Sequence, residues 1–144
     1  MSTTDISDII ENFDVLDDWE DRYRYLIELG RTLEPLPEEA RIPANKVQGC
    51  VSQVWLVTRW QDRRASFVCD SDAHIVRGLL AILVSVYAGH TASEILDIDA
   101  LAVFRQLQLQ EHLTPQRSNG LRSFVDRIRS DARQMLARGE AQGA

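Results

Sequence analysis

The stretch from Ile75 to Tyr87 most restricts what this chain can fold into. Ile75, Val76, Leu79, Leu80, Ile82, Leu83, Val84, Val86 and Tyr87 cover nearly the whole circumference of a helix. A helix that is apolar all round has no side to show to water, so it must lie at the centre of a fold with other elements wrapped around it. Asp70, Ser71 and Asp72 precede it and are expected to cap its start. Gly89 follows it and is expected to close its C-terminal end.

The wrapping has to come from the flanking segments. Asp17 or Asp18 can cap a helix in which Trp19, Tyr23, Leu26, Ile27 and Leu33 recur at helical spacing. Before it, Ile9, Ile10 and Phe13 suit one short helical turn, and Met1 to Asp8 reads as frayed. Pro35, Pro37 and Pro43 then break the pattern. From Ser52 to Trp60 the period changes to two and the residues favour extended structure, so this is read as a strand. Ala65 to Cys69 gives a second strand, joined through the polar turn Gln61 to Arg64, and Asn45 to Val47 adds a third. After the central helix, Thr91 and Glu94 have capping-box spacing, and Ala100 to Gln106 suits another short helix. His112 to Asn119 reads as a polar loop. A last helix is expected from about Ser118 to Gly120 onward, with Leu121, Phe124, Val125, Ile128, Ala132, Met135 and Leu136 on one face, and Gly139 to Ala144 as a loose tail. Clustered strands with segregated helices predict an α+β fold: a small antiparallel sheet of about three strands, covered by helices mainly on one face. The chain reads as one domain, 1–144, with its core over about 9–138.

The net charge of −6 and pI of about 5.0 disfavour nucleic acid as a partner, since phosphate binding needs a concentrated basic surface. No apolar run approaches the ~20 residues that span a bilayer, and no secretory pattern opens the sequence. The expectation is a cytoplasmic protein that does not bind membrane. Cysteine thiols there are reduced. The two cysteines, Cys50 and Cys69, stand 69 − 50 = 19 residues apart with no C-x-x-C, which argues against a thioredoxin-like pair. No H-E-x-x-H or Cys/His cluster points to a metal.

Cys50 is the residue best placed for chemistry. It follows Gly49, which can take backbone angles that other residues avoid and so suits a tight turn presenting the next side chain. Lys46 nearby could favour the thiolate. The residues alone leave a second reading open, a buried cysteine packing as a small hydrophobe. Cys69, on the second strand, is read as such a packed thiol. His112, with Arg117 in the same loop, is the histidine best placed for function.

Several segments resemble the SufE family of cysteine-desulfurase accessory proteins in iron–sulfur cluster assembly. They are Val47-Gln48-Gly49-Cys50-Val51-Ser52-Gln53-Val54-Trp55-Leu56, Asp70-Ser71-Asp72-Ala73, Ile75-Val76-Arg77-Gly78-Leu79-Leu80-Ala81 and His112-Leu113-Thr114-Pro115-Gln116-Arg117-Ser118-Asn119-Gly120-Leu121, with Trp19, Arg22-Tyr23 and Leu29-Gly30. The resemblance runs from about Trp19 to Leu136. It implies the fold shared with IscU-type scaffolds, and it makes Cys50 the sulfur-accepting, persulfide-forming cysteine. Arg117 matches the arginine of a loop near that cysteine; His112, Asp72, Gly49 and Lys46 are the other supporting candidates. The implied partners are a pyridoxal-phosphate-dependent cysteine desulfurase of the SufS or CsdA type and an iron–sulfur scaffold complex as sulfur recipient, with a homodimer as a further option. The cofactor belongs to the desulfurase, and none is expected here. The chain is thus expected to be an accessory sulfur carrier and activator rather than a stand-alone enzyme. The alternative is an IscU-like scaffold that binds metal or cluster itself. Val51 departs from the family, which commonly has glutamine there.

Overall fold

The computed structural model describes residues 6–49 and 52–143, the last four by backbone alone. Its centre is the helix α3, His74–Tyr87, in which Leu79, Leu80, Ile82, Leu83 and Tyr87 are almost completely buried. Two helices precede it. In α1, Ile6–Val15, the inward residues are Ile9 and Phe13, one turn apart. In α2, Trp19–Gly30, they are Leu26 and Leu29. Asp18 caps α2 by accepting from the Glu20 N–H at 2.9 Å. Arg22 reaches back from α2 and donates to the carbonyls of Leu16 (2.8 Å) and Phe13 (3.0 Å). It thereby satisfies the Leu16 carbonyl and adds a second donor to the Phe13 carbonyl, which already accepts from the Leu16 N–H. The single turn expected around Phe13 is therefore a ten-residue helix.

Helices α2 and α3 cross with their backbones in contact. A Cβ on Gly78 would run into the Leu26 carbonyl, and one on Gly30 would stand 2.9 Å from the Gly78 nitrogen. The two glycines make the close approach, and the apolar stripe of α2 then closes over α3.

The sheet has two strands, β1 (Val54–Gln61) and β2 (Arg64–Ser71), paired antiparallel from Val54↔Ser71 to Gln61↔Arg64. Asp62 and Arg63 join them, both at positive φ (52° and 67°). That geometry is a two-residue type I′ turn without the usual Asn-Gly. The third strand expected at Asn45–Val47 is reduced to one isolated bridge, Lys46↔Trp55. The short helical turn Pro43–Asn45 lifts the chain off the sheet just before it. Val54, Leu56, Ala65, Phe67, Cys69 and Ser71 are buried on the face toward α3. The proline-rich segment reaches the other face, where the Arg41 guanidinium lies 4.8 Å over the Trp55 ring and pairs with Asp70.

Beyond α3, Gly89 at φ 83° turns the chain. Helix α4, Ala92–Asp97, opens with the expected Thr91/Glu94 capping box, and α5 spans Ala100–Gln106 behind an Asp99 cap. The last helix, α6, runs from Pro115 to Gly143. It starts earlier than expected and absorbs most of the polar loop and most of the tail. The cause is legible afterwards: the Thr114 hydroxyl accepts from the Arg117 N–H at 3.2 Å, and Pro115 occupies the first helical position, where proline's fixed φ suits a helix. No described helix is long and apolar enough to cross a membrane.

Candidate functional site

Cys50 and Val51 lie outside the described residues, so the site is built from what flanks them. Gly49 has φ 90° and is exposed. A side chain there would be strained at that angle, and its Cβ would stand 2.6 Å from the Ser123 hydroxyl of α6. Ser123 thus forms the seat under the residue before Cys50. Pattern reading passes over it, because it is an ordinary serine on a half-polar helix face. The one sequence signal is its place two turns after Thr114-Pro115.

On the other side of Cys50, Ser52 lines an open recess of about 380 Å³. Its walls are apolar: Val54 of β1, Val76, Leu79 and Leu80 of α3, and Leu121 and Phe124 of α6. Gln116, Arg117 and Gly120, from the first turns of α6, complete it. Arg117 therefore shares a recess with Ser52, two residues after Cys50 in the chain. An arginine on the positive end of a long helix favours an anion beside it.

Asp72 serves differently from the expected cap. Its carboxylate accepts from the Gln53 N–H at 3.1 Å, and its own N–H donates to the Gln53 carbonyl at 3.3 Å. The α3 start is served instead by Ser71, whose hydroxyl accepts from the Ala73 N–H at 3.2 Å. Asp70 is turned to Arg41 and Arg77, the latter's Nε 3.1 Å away. The acidic pair expected to cap the central helix therefore fastens the start of β1 and the proline-rich segment. The Asp72 tether holds Gln53, three residues after Cys50 in the chain.

Lys46 is half-buried and bridges to Trp55, and Val47 donates its N–H to the Val54 carbonyl at 2.8 Å. The two residues anchor the entry to the Cys50 segment through backbone. His112 does not line the recess. Its ring stacks on Trp19 with centroids 3.5 Å apart, and its carbonyl accepts from the Tyr23 hydroxyl at 3.5 Å. It ties α2 to the segment before α6.

Cys69 is 1% exposed, within the sheet opposite Leu56. Burial pushes its thiol up to about 12, with the Asp70 charge adding to the rise and Arg77 opposing it. It is a packed thiol, as its position in the second strand suggests. Among the described residues no three His, Cys, Asp or Glu side chains converge as metal ligands.

Residues 7–132 match the family model described as SufE: Fe-S metabolism associated domain. A SufE-like protein of Rhizobium meliloti (strain 1021) is 54% identical over 133 residues, covering 90% of this chain and 95% of that one. Another, of Rhizobium etli, is 56% identical over 132 residues, covering 89% of each. The solution structure of a hypothetical protein from Thermus thermophilus shares the fold at TM-score 0.75 and 20% identity, covering 95% of this chain and 99% of its own. The α+β reading and the resemblance drawn from Gly49-Cys50, Asp70-Ser71-Asp72 and the α6 segment lead to the same place: this chain belongs to the SufE family, whose domain is associated with iron–sulfur metabolism.

Proposed function

We propose that this protein accepts sulfur on Cys50 from a cysteine desulfurase and passes it on to iron–sulfur cluster assembly. The observation that carries the reading is the arrangement on either side of Cys50. Gly49 holds a backbone angle that only glycine adopts freely, and Ser52 opens onto an apolar recess with Arg117 on its rim. Such a setting suits a thiol that alternates between shelter and a partner's active site.

The transfer is a thiol exchange. The Cys50 thiolate attacks the outer sulfur of the partner's cysteine persulfide. A new S–S bond forms on Cys50, the partner's S–S bond breaks, and the partner's inner sulfur leaves as a thiolate that takes up a proton. No net oxidant or reductant is needed. A thiol with an ordinary pKa of ~8.5 is only a few per cent ionised at neutral pH. Arg117 and the α6 N-terminus would favour both the thiolate and the persulfide anion. Unloading the partner's persulfide frees it for another turnover, so the protein acts as co-substrate and activator. Pyridoxal phosphate stays on the desulfurase. The recipient of the sulfur is a scaffold complex.

The test is an intact mass after incubation with a desulfurase and L-cysteine. One added sulfur on the wild type and none on Cys50→Ser is the expected result. Sulfur retained by Cys50→Ser, or stoichiometric iron or zinc on the purified protein, would replace the relay with a different site or with a metal-binding scaffold.

A further inference from the structure

The hairpin leaves one of its edges open, and the openness follows from register. In a two-residue type I′ hairpin the residues flanking the turn form a hydrogen-bonded pair, here Gln61↔Arg64. Pairs then alternate along the ladder. Arg59, Val57 and Trp55 therefore bond to β2, while Trp60, Thr58, Leu56 and Val54 turn their N–H and C=O groups the other way. The Val54 carbonyl agrees with this phase, because it accepts from Val47 on the side away from β2. Asn45–Val47 occupies the edge from there to Leu56: the Lys46↔Trp55 bridge, with the Val47 N–H on the Val54 carbonyl, also sets the Asn45 carbonyl against the Leu56 N–H, and Leu56 is 1% exposed. From Val57 to Trp60 no described residue makes a backbone hydrogen bond to the outward groups, which are those of Thr58 and Trp60.

That edge faces a groove of about 610 Å³ between β1 and α6. Native proteins blunt exposed edges with proline, bulges or inward charges. This stretch, Val57-Thr58-Arg59-Trp60, has no proline, and its pairing with β2 is unbroken. Its one charge, Arg59, pairs with Glu34 at 3.4 Å. On the α6 wall, Asp131 is engaged by the Thr58 hydroxyl at 2.8 Å and by Arg127 at 3.5 Å. Arg138 is exposed, and among the described residues it has no partner. The wall thus sets Arg127 and Arg138 against one carboxylate, on a protein whose net charge is −6.

We propose that this edge takes up an extended, acidic segment of a partner protein as an added strand, with an acidic side chain meeting Arg138. Thr58 and Trp60 supply the backbone donors and acceptors, as in other strand-addition complexes. A segment of about four residues, roughly 13 Å long, would fill the open stretch. The cationic wall selects its sign of charge. The inference stands apart from the chemistry of Cys50.

The test uses the full chain labelled for amide detection and, as probe, a capped heptapeptide of alternating valine and glutamate. Its counterpart with lysine for glutamate is the control. The glutamate peptide is expected to shift and protect the amides of Thr58 and Trp60. Arg138→Glu, on an exposed helix face, is expected to weaken it about tenfold and to favour the lysine peptide. Cys50→Ser is expected to bind it like the wild type, so this outcome is independent of the sulfur relay. Unshifted amides at saturating peptide, or equal binding of the two peptides, would overturn the proposal. So would protection of the same two amides by self-association without peptide, which would make a second copy the occupant.

Discussion

Gly78 and Gly49 both stand where a side chain has no room, and they differ in what opposes it. Gly78 is buried in α3, and the atom in its way is the Leu26 backbone carbonyl of α2. Gly49 is exposed before Cys50, and the atom in its way is the rotatable Ser123 hydroxyl. The first close approach joins two packed helices and has no freedom to adjust. The second rests a loop on a helix through a group that can swing aside. A core seam and a movable seat are thus built from the same residue type, and burial tells them apart.

Substituting the two glycines separates these roles. Gly78→Ala should raise helix propensity by ~1 kcal/mol yet destabilise the fold by on the order of 3 kcal/mol, because helix backbones must move apart. Denaturant unfolding checks this, and a neutral or stabilised variant would dissolve the seam. Gly49→Ala should cost less, about 1–2 kcal/mol from the left-handed backbone angle, but slow sulfur uptake by roughly tenfold if the loop's position sets access to Cys50. Adding Ser123→Ala should recover the part due to contact and leave the part due to φ.

The buried side makes a further prediction, through Cys69. Its folded pKa of about 12 lies above the ordinary value of 9.0. Between those values the unfolded chain has released a proton that the native protein keeps, so stability falls as pH rises through this window. The slope is at most about 1.4 kcal/mol per pH unit. Alkaline unfolding of the wild type should be steeper than that of Cys69→Ala, and parallel curves would remove Cys69 from the account. The smallest expected effect is at the Asp72 tether. Asp72→Ala loses the acceptor for the Gln53 N–H and should cost about 0.5–1 kcal/mol. Hydrogen exchange at Gln53 should rise while exchange in α3 stays unchanged.

The sequence is most legible where burial and period dominate. The all-round apolar stretch Ile75–Tyr87, the Thr91/Glu94 box and the turn at Gly89 each carry their structure in local pattern. Asp72 is misread because a carboxylate before a helix has a local role available, the cap, whereas its partner Gln53 lies 19 residues away and becomes a neighbour only through the hairpin. The start of α6 is missed because the polar residues from His112 to Asn119 look like a loop, although Thr114-Pro115 is a helix opening. Asn45–Val47 has strand-like neighbours but only one bridge, since Pro43 turns the chain away. For Cys50 the residues offer a reactive thiol, and the persulfide role comes from the family resemblance. For Ser123 the sequence offers only its place two turns after Thr114-Pro115.

The depth at which Cys69 is set has a consequence for the fate of the cargo. A carrier with a second reactive thiol at hand could discharge a persulfide internally, closing a disulfide and shedding the sulfur as sulfide. Here the second thiol is sealed in the sheet and held protonated, so that short circuit has no nucleophile. Under the proposed relay, sulfur loaded on Cys50 leaves only by intermolecular delivery, and the rate of its loss from the isolated protein becomes a measure of leakage to solvent thiols alone.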